Sequence, residues 1–169
     1  MSADRPFWTI GRDREKAYTA EFVKEADQQA LIFAVIDAAL DCNEASGSGA
    51  EFVEKARVAM VDGNSAVWQN ASSWVRKVGE RHPASLTLWD QLASHASWQV
   101  RWRVACLLYN DIPDAKSDDL FALLRHDKSA KVREYAVSRY ENRPGPDRNI
   151  VFKMFDADAP SSPGLRRGN

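Results

Sequence analysis

The sequence predicts an all-α protein, a right-handed α-solenoid of about four helix pairs. Three observations carry that expectation. Helical periodicity dominates the chain, and no segment shows the alternation and hairpin turns of strands. From Ala50 onward the expected helices come in pairs separated by proline-containing breakers. The second helices of three pairs share one register, with Val67, Val100 and Val132 standing at nearly equal intervals. A period of that length marks a repeat architecture.

The first helix is expected over 12–25, with Ala17, Tyr18, Phe22 and Ala26 on one side. The second, over 27–41, is apolar nearly all round and should be the most buried. Asn43-Glu-Ala-Ser-Gly-Ser-Gly follows and reads as a flexible linker, because it lacks the Gly-Lys-Ser/Thr ending of a phosphate loop. The pairs are then 50–61 with 65–81, 86–94 with 98–109, and 118–125 with 130–141. His82-Pro83, Asp111-Ile-Pro-Asp and Arg143-Pro-Gly-Pro end them. Proline does this because it lacks an N–H and biases the preceding residue out of helical geometry.

The organisation expected is therefore an arm over 1–11 and one helical domain over 12–148. That domain comprises a capping pair over 12–42 and repeats over 50–82, 85–110 and 117–143. A short capping helix over 149–155 and a disordered tail over 156–169 complete the chain.

Composition is that of an ordinary globular domain: 169 residues, 44% apolar, 28% charged, net charge -1. Nothing global points to nucleic acid or an anionic membrane. Acidic side chains outnumber basic ones before residue 95, and basic ones lead slightly over 95–148. Cys42 and Cys106 alone make neither a disulfide framework nor a zinc site, and read as two small buried side chains. The N-terminus shows no secretory pattern, and the longest apolar stretch, Ala30 to Ile36, is too short for a bilayer. A cytoplasmic protein is expected, with no membrane, metal or cofactor.

Around the register valines the repeat has further fixed positions. Three residues earlier stand Asn64, Ser97 and Ser129, all suited to cap a helix N-terminus. Five earlier stand Asp62, His95 and Asp127; four later, Ala71, Val104 and Ala136; eight later, Val75, Leu108 and Tyr140. The valine and its followers form one apolar stripe, which a lone helix pair cannot bury.

A turn Asp, then Val-Arg, then small apolar residues resembles the second helix of HEAT repeats. Asp127, Val132-Arg133 and Ala136-Val137 carry the likeness best; His95, Val100-Arg101 and Val104-Ala105 carry it with His in the Asp position; Asp62, Val67 and Ala71 carry it with Trp68 in the Arg position. The resemblance spans about Ala50 to Arg143 and implies an armadillo-type superhelix. It also implies a structural ladder in which Arg101 and Arg133 pair with turn aspartates, Arg101 reaching Asp127 or Asp62. It says little of function.

The open face of the second helices is the usual groove of such a stack. In this register it is lined by Gln69, Ser73 and Arg76, by Trp102, Cys106 and Tyr109, and by Glu134, Ser138 and Glu141, with Asn70, Arg103 and Tyr135 beside them. Trp, Tyr and Arg are the types that anchor interfaces. The partner-binding residues expected are thus Trp102, Arg103, Tyr109, Gln69, Arg76, Glu134 and Tyr135. Most of the six tryptophans should be core, with Trp98 covering a repeat edge.

No His-Glu-x-x-His, Gly-x-Ser-x-Gly or His/Cys cluster occurs, so no catalytic residue is expected. The expected function is a non-enzymatic protein-binding scaffold, of which an immunity-type inhibitor of a partner enzyme would be one form by analogy of fold. The alternative is DNA binding or repair. HEAT-like alkylpurine DNA glycosylases share the architecture, and Trp98-x-Val100-Arg101-Trp102-Arg103 loosely echoes their aromatic and basic groove. Against it stand the short chain, the negative net charge, and Asp90 lying beside Trp89 on a first helix. An accessory or chaperone-like role, as in bilin lyases, is the third reading, though nothing here specifies a pigment.

Overall fold

The computed structural model describes residues 9–44 and 47–144. These form α1 (Arg12–Ala20), α2 (Ala26–Asn43), α3 (Gly49–Asp62), α4 (Ser65–Gly79), a 3₁₀ turn (Pro83–Thr87), α5 (Leu88–Ala93), α6 (Trp98–Leu107), α7 (Asp114–Leu124) and α8 (Ala130–Glu141), with no strand among the described residues. The protein is all-helical there. The arm as far as residue 8, the expected capping helix over 149–155 and the tail over 156–169 lie outside the described residues.

Helix ends differ from the expectation in ways the local chemistry explains. α1 stops at Ala20, short of the expected end at Glu25. A turn follows in which the Val23 N–H donates to Thr19 O (3.0 Å) and Gln29 Nε2 donates to Val23 O (2.7 Å). That turn puts Val23 into the core and leaves Phe22 outside. The Gly-Ser-Gly linker also supplies a cap, since Ser48 Oγ accepts the Glu51 N–H (3.1 Å) and starts α3. Between α3 and α4, a Cβ on Gly63 would lie 2.4 Å from both Ala59 O and Val67 Cγ1, so the turn closes only around glycine. Pro83 stands at the first position of its 3₁₀ turn, where no N–H is needed. Pro113 directly precedes α7, which begins at Asp114 rather than at Asp118.

α1 packs on α2; α2 packs on α3 and α4, which pack on each other. α5 pairs with α6 and α7 with α8. The first helices α3, α5 and α7 are neighbours in that order, and α6 and α8 lie side by side. One continuous apolar core runs from Val23 to Ala136. The register stripe is buried in all three second helices: Val67, Ala71 and Val75; Val100, Val104 and Leu108; Val132 and Ala136. α2 contributes Ile32, Val35, Ile36, Ala39 and Leu40, but it is not apolar all round. Asp37 breaks it on the α1 side, where Arg12 (2.8 Å) and Lys16 (2.7 Å) pair with its carboxylate. No helix among the described residues is long and apolar enough to cross a membrane.

Candidate functional site

The second helices α4, α6 and α8 carry the residues singled out in the sequence, and each begins on a turn with its own chemistry. In the third pair, Asp127 takes both Nε (2.6 Å) and Nη2 (3.0 Å) of Arg101, a bidentate pair across the junction of α6 and α8. This hydrogen bonding holds the Asp127 carboxyl below its ordinary pKa and raises that of Arg101. Asp127 Oδ1 also accepts the Ser129 N–H (2.7 Å). His95 stands at the same position one pair earlier and does the same work, its Nδ1 accepting the Ser97 N–H (3.1 Å).

Of the three expected caps only Asn64 acts as one, accepting the Val67 N–H at 3.1 Å. Ser97 and Ser129 make no side-chain cap. They give their own N–H to the turn side chain instead, so the turn residue replaces the cap. Of the Asp positions, Asp127 is the one Arg101 reaches, while Asp62 is exposed.

Trp68, Trp102 and Tyr135 touch in sequence across α4, α6 and α8. Trp102 lies edge-to-face against Trp68 (centroids 6.3 Å, 73°) and against Tyr135 (5.3 Å, 74°), the geometry that ring quadrupoles favour. Exposure grows along the run: Trp68 is buried, Trp102 half-buried, and Tyr135 is 44% exposed. One helical turn back on α6 and α8, Lys131 Nζ sits 5.4 Å over the ring of Trp98, which is itself 37% exposed. These four aromatics and one lysine make a partly open, apolar and cationic face. Trp98 and Lys131 were not among the binding residues read from sequence. The signal was present, because Trp98–Trp102 and Lys131–Tyr135 are both i,i+4 pairs.

Other expected binding residues are engaged internally. Arg103 donates to Met60 O (2.6 Å) and Val61 O (2.9 Å), carbonyls in the last turn of α3, and lies 5.9 Å over the Trp68 ring. Burial lowers its pKa and the charge of Asp62 partly offsets this. Tyr109 is buried, with φ 58°, in the left-handed region. Ser117 Oγ accepts its N–H (2.9 Å) and its hydroxyl donates to Asp118 (2.7 Å). Burial first, and Asp118 second, push the phenol pKa up. Arg76 lies 4.0 Å from Asp111, which accepts the buried Ser72 hydroxyl at 2.5 Å and pins the loop after α6 to α4. Cys106 is buried, its thiol pushed up to about 11 by desolvation.

Gln69 and Glu134 are exposed. Glu134 lies with Arg125, Arg133, Val137, Ser138 and Glu141 around a shallow groove on α8. Arg133 Nη1 donates to Asp127 O (2.7 Å) and Lys128 O (3.1 Å), the carbonyls of its own turn. Asp90 is held by Lys116 (2.5 Å), and the neighbouring Trp89 is fully buried with no partner for Nε1 among the described residues. No family model, curated protein or solved structure matches the chain.

Proposed function

We propose that the chain is a non-enzymatic, protein-binding α-solenoid of HEAT-like, armadillo type, working in the cytoplasm. The observation that carries this reading is the graded aromatic run Trp68–Trp102–Tyr135 with the Trp98–Lys131 pair beside it. A ring that is held on one side by another ring and open on the other loses little entropy when a partner covers it. An exposed cluster of this kind is what interface centres are made of. Trp98, Trp102, Tyr135 and Lys131 are the proposed contact residues, with Gln69 at the edge. Arg103 and Tyr109 serve the stack that presents them. An inhibitor that neutralises a partner enzyme is one form such a scaffold would take, by analogy of architecture alone.

The test is a pull-down from native lysate with wild type and a Trp98→Ala/Tyr135→Ala double variant. Both positions are exposed, so the melting temperature should change little. Proteins retained by wild type and lost by the variant support the face. Recovery of the same set by both would remove it.

A second reading, nucleic-acid binding, is favoured by Lys131 and Arg139, exposed on the same helix as Tyr135. A filter-binding titration of duplex DNA against salt separates the two, because phosphate contacts make affinity fall steeply with salt.

A further inference from the structure

The two sets of helices carry opposite charge. The first helices α3, α5 and α7 hold seven Asp or Glu against three Lys or Arg. The second helices α4, α6 and α8 hold seven Lys or Arg against two Asp or Glu, and α4 and α6 have no acidic residue at all. Several of those cations are used inside the stack. Arg101 closes on Asp127, Arg103 and Arg133 cover backbone carbonyls, and Lys77 lies over the Trp74 ring. Arg76 is 4.0 Å from Asp111 with 41% of its side chain exposed. Lys131 and Arg139 are exposed, and neither has a hydrogen-bond or ion-pair partner among the described residues.

The two free cations sit on the aromatic face in a fixed order. Lys131, Tyr135 and Arg139 are spaced by four residues and make one strip of α8, with the cations about 12 Å apart along its axis. Trp98, Trp102 and Cys106 make the matching strip of α6. The strips meet residue by residue. Lys131 lies over Trp98, Tyr135 meets Trp102, and the charge of Arg139 acts on the Cys106 thiol. The two acids of α8 lie elsewhere, since Glu134 and Glu141 line the groove shared with Arg125 and Arg133. The face is therefore an aromatic centre with a cation at each end and no carboxylate on either strip.

We propose that this face takes an acidic segment of a partner protein, two of whose carboxylates meet Lys131 and Arg139 while an apolar side chain between them covers Trp102 and Tyr135. This deepens the protein-binding reading and rests on it. Charge complementarity carries the choice of occupant, because a partner lacking carboxylates would desolvate two unpaired cations. A helix supplies that spacing with carboxylates about eight residues apart, and an extended segment with carboxylates about four apart. Nucleic acid fits less well. Two free cations are few for a phosphate backbone. Bases stack on open ring faces, whereas Lys131 covers a face of Trp98 and Trp102 is held between two rings.

The experiment is fluorescence anisotropy with a labelled random glutamate–tyrosine copolymer as probe, and with polyglutamate and oligothymidylate of equal charge beside it. Wild type should bind the copolymer more tightly than either comparator at the same salt. Lys131→Glu/Arg139→Glu should weaken copolymer binding by about ten-fold, because repulsion replaces attraction at two exposed sites. Should that variant fail to fold, Lys131→Gln/Arg139→Gln makes the same test with a smaller loss. Absence of copolymer binding would overturn the proposal, and so would binding that neither double variant weakens. Tighter binding of oligothymidylate would also overturn it, in favour of nucleic acid. The protein-binding reading is tested apart from this by the pull-down. Proteins lost by Trp98→Ala/Tyr135→Ala but kept by Lys131→Glu/Arg139→Glu would leave that reading standing and remove the acidic partner alone.

Discussion

Between α6 and α8 the polar lock points forward: Arg101 reaches into the next pair and closes on Asp127. Between α4 and α6, Trp68 occupies the arginine's position and the lock points backward. There Arg103, two positions further along α6, reaches the carbonyls of Met60 and Val61 at the end of α3. Both junctions also carry a ring contact through Trp102. The comparison teaches that the register fixes which side chains are buried, while the polar group that ties two pairs together can come from either side. A charged donor over terminal helix carbonyls, and a bidentate ion pair, are interchangeable solutions to one packing problem.

Removing the forward lock should have the largest effect. Asp127→Ala leaves the largely buried Arg101 fork without its carboxylate and removes the acceptor of the Ser129 N–H. A loss of about 3 kcal/mol is expected in urea unfolding, because an ion pair broken from one side leaves an uncompensated charge. A loss under about 1 kcal/mol would mean that the rings hold this junction. The pH dependence has a definite sign. The folded carboxyl of Asp127 titrates below its ordinary range because Arg101 donates to it. Its contribution is therefore present above about pH 4 and lost as pH falls through the lowered folded value. On further acidification wild type should lose stability more steeply than Asp127→Ala does.

The backward lock should matter less. Arg103→Met keeps an unbranched stem on Trp68 but withdraws both hydrogen bonds from the α3 carbonyls. The expected cost is about 2 kcal/mol, as for hydrogen bonds to a charged group. Arg101 and Arg103 share no partner, so Asp127→Ala and Arg103→Met should add to within about 0.5 kcal/mol. Strong coupling between them would show that the two junctions open as one unit.

Much of the fold was legible because its signals are local. Proline breakers, the valine register and the followers at every fourth residue place the second helices and their buried side. The candidate site was legible only in part. The touching rings sit one, two and three positions after the register valines, at Trp68, Trp102 and Tyr135, so the contact advances by one position per helix. An alignment at fixed offset groups Gln69, Trp102 and Glu134 instead. It therefore reads the strip by which α6 meets the next pair as an open groove. Arg103 was misread for a related reason: its target is a pair of backbone carbonyls, which no side-chain pattern reveals.

His95 allows the finest test of the difference between the junctions. Its Nδ1 takes the Ser97 N–H as Asp127 takes that of Ser129, so His95→Asp places there the residue found at 62 and 127 without disturbing the turn. The gain should be small, about 0.5 kcal/mol, because only one local hydrogen bond becomes charge-assisted. The new carboxylate finds no forward arginine, since Trp68 stands where one would be. Adding Trp68→Arg supplies that arginine but removes a buried ring that touches Trp102 and underlies Arg103. Losing that ring should cost about 3 kcal/mol, as for other buried tryptophans. The double variant should therefore be less stable than wild type despite offering an Arg–Asp pair at both junctions. If it proved more stable in urea unfolding, the forward lock would outweigh the ring, and the first junction would be the weaker of the two.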